Sequence, residues 1–215
     1  GAQGRLPWGM ARYLDVHPVD PQPRLVAQAV KVLQEGGVIA YPTDSGYALG
    51  CALGNPEGKE RISTIRQLGN KHQFALMCSD FAQMGQLVMM SNRQFRALKS
   101  ATPGPYTFVL RGTPEVPKRL LDPKRKTVGV RISGDRLVQA LLEELGEPML
   151  TTTLILPGEE SPMTDGWAVN DLLENAVDVV LDSGECGSEP TTVIDLSGDE
   201  PEVLRQGAGD ASLFE

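Results

Sequence analysis

Length, composition and charge restrict the classes of protein to which this sequence can belong. The chain has 215 residues, of which 40% are hydrophobic, enough for one substantial core without disulfides or structural metals. No apolar run approaches the roughly 20 residues that span a bilayer, and no signal-peptide pattern occurs, so we expect a cytoplasmic protein without a membrane partner. The formal net charge of −8 argues against a general nucleic-acid binder, because such proteins cluster Lys and Arg.

Two features indicate the extent of the domain and its redox environment. Gly1 to Gly9 are small, polar or turn-forming and stand directly before Met10, so we interpret residues 1–9 as an expression-vector remnant. The remaining residues, 10–215, are expected to form a single domain. The three cysteines are far apart and form no Cys-x-x-Cys pair, which favours a reducing compartment, packing roles and no metal site.

Apolar periodicity predicts helices and strands that alternate along the chain. In chain order, the pattern predicts a helix over 25–33, strands over 38–41 and 48–52 around a turn at 42–47, a helix over 56–65, a strand over 74–78, a helix over 91–98, strands over 106–110 and 127–132, a helix over 137–145, and strands over 149–156, 177–181, 192–196 and 203–205. A polar excursion at 157–167 is the best candidate for a loop or lid. This alternation predicts an α+β or α/β fold, with helices layered on a mixed, twisted sheet.

The sequence lacks the signatures of several enzyme classes. It contains no Gly-x-Gly-x-x-Gly, no Walker-type Gly-Lys-Ser/Thr and no His-Glu-x-x-His. Its two histidines, His17 and His72, leave few options for acid–base catalysis. His72 lies in a polar turn after a predicted helix, where a solvent-facing side chain is favoured over a ligand contact.

Hydroxyl and arginine side chains at predicted strand ends are the candidate ligand-binding groups. Thr43 and Ser45 follow a buried strand, and Thr107 follows a rigid Pro-Gly-Pro segment, although both patterns are also typical of plain turns and connectors. Arg131 and Arg205 each end a predicted strand, where they can converge on a shared anion or form surface salt bridges.

The densest positive stretch of the chain runs from residue 118 to residue 126 and is interrupted by Pro123. Its cations are Lys118, Arg119, Lys124, Arg125 and Lys126. Such a run is ordinarily a solvated face, but it can also rim a cleft and steer phosphate or RNA inward. Thr151 to Thr153 place consecutive hydroxyls on an inner strand, which β-propensity alone explains.

Five stretches, taken in order, resemble the YrdC/YciO-like family over most of the chain from Met10 to Gly209. They are GGVIAYPTDSGYALG at 36–50, PGPYT at 103–107, VGVR at 128–131, PTTVID at 190–195 and RQG at 205–207. The segment PTDSGY at 42–47 is most similar to the YciO branch of that family.

The resemblance implies a three-layer fold around a large, positively lined cavity. In the synthase branch it also implies formation of threonylcarbamoyl-adenylate from threonine, bicarbonate and ATP with Mg²⁺, a product that feeds tRNA modification. Position by position, it implies nucleotide binding by Thr107, Arg131, Thr153 and Arg205, and substrate binding by Thr43, Ser45, Tyr47 and His72.

Two positions depart from the family pattern of Lys-x-Arg and Ser-x-Asn around the phosphates. They read Arg66-Gln67-Leu68 and Thr153-Leu154-Ile155, so Arg66 and Thr153 remain as catalytic candidates while an arginine and an amide are lost. Loss of one charge-stabilising donor can cost about 100-fold in rate. We therefore expect an ATP-binding protein with weak or altered synthase activity.

Two alternatives from other functional classes stay open at this point. One is a noncatalytic module that binds RNA, either tRNA or double-stranded RNA, through the basic run at 118–126. The other is a small-molecule sensor that keeps the cavity and uses 157–167 as its lid. The oligomeric state is left open by the sequence.

Overall fold

The structure is a computed structural model that describes residues 10–69 and 74–215. Its strands are β1 (Arg12–Asp15), β2 (Ile39–Thr43), β3 (Gly46–Ala52), β4 (Ala75–Met77), β5 (Tyr106–Arg111), β6 (Thr127–Arg131), β7 (Met149–Thr153), β8 (Val179–Asp182), β9 (Thr192–Asp195) and β10 (Glu202–Arg205). Its α-helices are α1 (Pro23–Gln34), α2 (Pro56–Arg66), α3 (Phe81–Leu87), α4 (Asn92–Ala101), α5 (Arg136–Leu145) and α6 (Gly166–Leu173). Single 3-10 turns lie at Lys118–Leu120 and Ala211–Phe214.

The strands form a mixed sheet in the order β1-β8-β2-β3-β7-β4-β6-β5-β9-β10. Four neighbouring pairs are parallel, namely β1–β8, β8–β2, β4–β6 and β5–β9, and the other five are antiparallel. Helices pack on both faces of this sheet, which confirms the predicted three-layer α/β architecture.

The two faces of the sheet are covered unequally. On one face, buried side chains of α2, α3, α4 and α6 pack on alternate strand residues such as Leu76, Phe108 and Val130. On the other face, α1 and α5 pack over the half formed by β1, β8, β2, β3 and β7, together with Met77 of β4. Because strand side chains alternate between faces, the residues next to Phe108 and Val130 point to the second face, where they line a cavity.

Helices α4 and α5 are bounded by capping residues. Helix α4 begins at Ser91, whose hydroxyl accepts from the amide of Gln94 while the Gln94 side chain accepts from the Ser91 amide. Helix α5 is capped at its start by Asp135 and closed by Gly146, which adopts a left-handed φ of 75°. The predicted helix over 137–145 is therefore confirmed with one additional residue.

Several predicted boundaries are wrong, and three elements were not predicted. The turn expected over 42–47 is reduced to Asp44 and Ser45, because Pro42 and Thr43 continue β2 and Gly46 already begins β3. The excursion expected over 157–167 ends at Asp165, since Gly166 and Trp167 open α6. The unpredicted elements are β1, α3 and α6.

Other expectations concern the core and the ends of the chain. Cys51 and Cys78 are buried in the core and Cys186 is half-buried, and all three are free thiols, in keeping with packing roles. No helix within the described ranges is long and apolar enough to cross a membrane. The interpretation of residues 1–9 concerns a segment outside the described residues.

Candidate anion-binding site

A cavity of about 420 Å³ opens over the half of the sheet that α1 and α5 leave uncovered. Its floor is made of small side chains on neighbouring strands, including Ala75 on β4 and Gly129 on β6. A Cβ atom at Gly129 would lie 2.9 Å from the Cγ2 atom of Thr107. Glycine at this position therefore keeps the floor low enough for a ligand to approach the strand backbone.

Arg131, the last residue of β6, is the most deeply placed cation of the cavity. It is 2% exposed, and its Nη2 atom donates to Ser45 Oγ at 2.8 Å and lies 3.5 Å from Asp44 Oδ1. Its Nε atom has no hydrogen-bond partner among the described residues. A buried donor without a partner costs free energy, so an acceptor supplied by a ligand would be favoured here.

Arg205, the last residue of β10, reaches the same cavity from the edge of the sheet. The pairing of β10 with β9 shifts between Val203 and Arg205, so Leu204 is an extra residue on the bulged strand. Both Leu204 and Arg205 line the cavity. The guanidinium of Arg205 donates twice to Thr191, from Nε to the carbonyl oxygen at 2.9 Å and from Nη2 to Oγ1 at 3.0 Å.

Arg66 contributes the third guanidinium from the last turn of α2. Its Nε atom donates to the carbonyl oxygen of Ile155 at 3.1 Å, and Nη1 donates to Thr152 Oγ1 at 2.8 Å. These two bonds tie the end of α2 to the end of β7 and its following loop. Arg66, Thr152 and Ile155 all line the cavity.

The three guanidiniums make the cavity electropositive. Burial lowers the pKa of all three, and the charge of Arg205 lowers the pKa of Arg66 further, as the charge of Arg131 does for Arg205. Arginine remains protonated despite such shifts, so the like charges repel one another at neutral pH. Asp122 is the sole carboxylate among the described residues that line the cavity.

Three of the predicted substrate-binding residues, Thr43, Ser45 and Tyr47, do not line this cavity. Thr43 is 2% exposed, and its hydroxyl donates to the carbonyl oxygen of Gly46 at 2.7 Å. Ser45 is fully buried and accepts from Arg131. The Tyr47 hydroxyl donates to the Gly184 carbonyl oxygen at 2.9 Å, away from the cavity. His72 lies outside the described residues, so its expected role stays a prediction.

The predicted nucleotide-binding residues are brought together. Thr107, Thr153, Arg131 and Arg205 all line the cavity, as does the catalytic candidate Arg66. The convergence of the four predicted residues follows from the sheet order, because β7, β4, β6, β5, β9 and β10 are consecutive neighbours. Their roles toward a ligand remain predictions.

The basic run at 118–126 forms one wall of the cavity through Leu120, Asp122 and Arg125. Arg125 is paired at 2.8 Å with Asp195, a carboxylate that is 3% exposed. The other four cations of the run are exposed and do not line the cavity, although Arg119 donates to the carbonyl oxygen of Leu53. Four of the five expected steering residues are therefore exposed residues outside the cavity lining.

Three residues of the site were not singled out by the sequence. Thr191 holds Arg205, Asp195 holds Arg125, and Gly129 lowers the cavity floor. The resembling stretches at 128–131 and 190–195 contain all three, but nothing in a single sequence tells which of their side chains face a cavity.

The fold and the site define an α/β protein with a cavity lined by arginines, and comparisons place it in a family. A family model for Sua5, YciO and YrdC, described as telomere recombination, matches residues 31–207. A threonylcarbamoyl-AMP synthase from Vibrio vulnificus is 35% identical over 185 residues, covering 84% of this chain and 97% of the relative. The chain therefore belongs to the Sua5/YciO/YrdC family.

Within that family the chain is similar to YciO. The uncharacterized protein YciO of Escherichia coli K12 is 50% identical over 205 residues, covering 95% of this chain and 100% of the relative. The crystal structure of E. coli YciO superposes with a TM-score of 0.93, covering 96% of this chain and 100% of the other. Sua5 from P. abyssi complexed with L-threonine gives a TM-score of 0.78 at 26% identity, covering 91% and 57% of the two chains.

Proposed function

We propose that this chain binds ATP with its phosphates among Arg66, Arg131 and Arg205, and that it transfers the adenylyl group slowly to a threonine carbamate. The observation that carries the proposal is the meeting of three guanidiniums, a buried one on Arg131 and partly desolvated ones on Arg66 and Arg205, in a cavity whose described lining has a single carboxylate. The relation to threonylcarbamoyl-AMP synthase supports the choice of reaction.

Electrostatics favour a polyphosphate over a neutral ligand in this cavity. Like charges repel strongly where water is partly excluded, and a bound polyanion would turn that repulsion into attraction. Guanidinium groups bind phosphate oxygens through paired N–H donors, and the buried Nε of Arg131, a residue that lines the cavity, has no partner among the described residues. Thr107 and Thr153 add hydroxyls to the same lining.

The reaction itself requires positioning and charge stabilisation rather than a covalent side chain. Threonine and bicarbonate condense to a carbamate with loss of water, and a carbamate oxygen then attacks the α-phosphorus of ATP. A new P–O bond forms while the bond from the α-phosphorus to the bridging oxygen breaks, and pyrophosphate leaves with that electron pair. The arginines would stabilise the charge on the departing oxygens.

Two apolar residues, only the second of which lines the cavity, explain why the rate is expected to be low. Leu68 is 5% exposed and offers no donor, and Ile155 presents an apolar side chain where the synthase pattern has an amide. Asp122 accepts from the amides of Lys124 and Arg125, and one carboxylate among arginines does not form a protein-built Mg²⁺ site. No step is therefore assigned to a metal held by the protein.

Support for threonine as the acceptor comes from the relatives rather than from the cavity. The L-threonine complex of Sua5 and the synthase relation point to this substrate. In this chain Thr43 and Ser45 are occupied with Arg131 and Gly46, so the amino acid would have to bind from the cavity side of Arg131.

Calorimetry followed by a product assay tests the proposal in two stages. We expect ATP to bind with a stoichiometry near one and inorganic pyrophosphate to compete with it. We further expect slow formation of an adenylate from radiolabelled threonine, bicarbonate, ATP and Mg²⁺. Absence of ATP binding would remove the whole proposal, while binding without any adenylate would remove only the transfer step.

RNA binding is a second candidate, because Lys118, Lys124 and Lys126 are exposed on a segment that also forms one wall of the cavity. Cations in this position can neutralise backbone phosphates, which makes binding salt-dependent. Gel shifts with tRNA and duplex RNA at low salt test this candidate, and an unshifted band for both would exclude it.

A further inference from the structure

The contacts around Arg205 form a chain of hydrogen bonds that ends at the cavity. Arg205 donates to Thr191 from Nε and Nη2, and the Thr191 hydroxyl lies 2.8 Å from the hydroxyl of Thr107. Thr191 is 2% exposed, and it lies just before β9, whereas Thr107 lines the cavity from β5. The three residues thus connect β10 to the cavity through a buried hydroxyl.

The direction of these bonds is fixed by the guanidinium. An arginine N–H can only donate, so Thr191 Oγ1 must accept from Arg205. The buried Thr191 hydroxyl hydrogen then needs an acceptor, and Thr107 Oγ1 is the one within reach among the described residues. The hydroxyl hydrogen of Thr107 is left to be donated elsewhere, and the cavity is the space that Thr107 lines.

The backbone after Arg205 is fastened to the same segment. The Gly207 amide donates to Thr192 Oγ1 at 2.9 Å, and the Ala208 amide donates to the Pro190 carbonyl oxygen at 2.9 Å. A Cβ atom at Gly207 would lie 2.3 Å from that carbonyl oxygen, so the two chains approach each other in a way that only glycine permits. This attachment keeps Thr191 within reach of Arg205.

We propose that Thr191 is a positioning residue of the nucleotide site, which holds the Arg205 guanidinium in place and orients the Thr107 hydroxyl as a donor to the phosphates. The inference rests on the proposed function, since it assumes a phosphate ligand in the cavity. Two of the five N–H groups of Arg205 are used by Thr191, and no others are engaged within the described part of the chain, so the rest can serve the ligand.

Thr191→Val removes the hydroxyl but keeps the shape of the side chain, and Thr191→Ser keeps the hydroxyl. We expect Thr191→Val to weaken ATP binding about tenfold, since the guanidinium then keeps only its bond to the Thr191 carbonyl oxygen and the Thr107 hydroxyl loses the group that orients it. Thr191→Ser should bind within about twofold of the wild type. Thr113→Val, a change outside the cavity, is the matched control and should leave affinity unaltered.

A double-mutant cycle with Arg205→Met separates positioning from a general structural effect. If Thr191 acts through Arg205, Thr191→Val should add less than about twofold in the Arg205→Met background. Three results would overturn the inference while leaving ATP binding intact. They are equal ATP affinity of Thr191→Val and the wild type, additive effects of Thr191→Val and Arg205→Met on that affinity, and a Thr191→Ser variant that binds ATP as weakly as Thr191→Val. A wild type that binds neither ATP nor pyrophosphate would remove both proposals.

Discussion

Replacing Arg205 by methionine removes one cavity charge while leaving the rest of the molecule almost unperturbed. The residue lies on β10, an edge strand, and its hydrogen bonds go only to Thr191 among the described residues. Its side chain is exposed, so the expected loss in the free energy of unfolding is small, about 1 kcal/mol or less. The variant therefore reports on the ligand rather than on folding.

The effect on ligand affinity should be much larger than the effect on stability. A hydrogen bond from a charged donor contributes about 1.5–3 kcal/mol, which corresponds to a roughly 10- to 150-fold weaker Kd for ATP. Removal of Arg205 also removes its repulsion of Arg66, and this places the expected loss toward the lower end of that range. The dependence of Kd on salt concentration should become shallower, since one cation no longer meets phosphate.

Calorimetric titration of ATP at two salt concentrations, with unfolding monitored in parallel, measures both quantities. Arg96→Met, which removes an exposed arginine of α4 outside the cavity, is the control and should change neither the affinity nor its salt dependence. If Arg205→Met bound ATP within about twofold of the wild type, the assignment of the cavity cations to phosphate would be refuted.

Other expectations concern stability and rate. Arg61 pairs at 2.7 Å with the fully buried side chain of Asp178, so Arg61→Met should lower the free energy of unfolding by about 3–5 kcal/mol in urea titrations; a loss below 1 kcal/mol would contradict this. Ile155→Asn should speed adenylate formation by tenfold or more, up to about 100-fold, in the radiolabel assay, and an unchanged rate would count against the missing-donor explanation. Burial acts to raise the pKa of Asp195, but hydrogen bonds and Arg125 outweigh it and hold that pKa below its usual value. The stabilisation that the Asp195 carboxylate gives to the fold is therefore present above about pH 4 and is lost as the pH falls through the folded-state pKa. Asp195→Asn should be less stable than the wild type at pH 7, and the difference in free energy of unfolding should shrink toward pH 2. A difference that does not change with pH would argue against the ion pair.

Local patterns were sufficient for most of the sheet and for four of the helices. The long apolar stripes of α1 and α5 stand out because each buries one face. Pro23 and Gly36 mark the ends of α1, and Asp135 and Gly146 mark those of α5. By contrast, β1 is a four-residue edge strand with charged ends, and it is a strand only because it pairs with β8. Helix α3 has seven residues and contains Gly85, too short and too weak a pattern to predict a helix.

Some residues of the site could likewise be predicted from local sequence patterns, whereas others depend on contacts between distant segments of the chain. Arg131 and Arg205 could be predicted because an arginine at a strand end is visible in the sequence, and neighbouring strands bring such ends together. The burial of Thr43 could not be predicted, since it depends on the hairpin closing after only two residues. Thr191 could not be assigned either, because its partner is fixed by the irregular pairing of β9 with β10.

The central claim is that Arg131 and Arg205 bind the phosphates of one nucleotide, and a crystal structure of the full chain with a non-hydrolysable ATP analogue tests it most directly. We expect phosphate oxygens within hydrogen-bonding distance of Arg131 Nε and of the Arg205 guanidinium, with Thr107 donating to the same group. A nucleotide bound elsewhere on the surface, or one whose phosphates point away from both arginines, would contradict it.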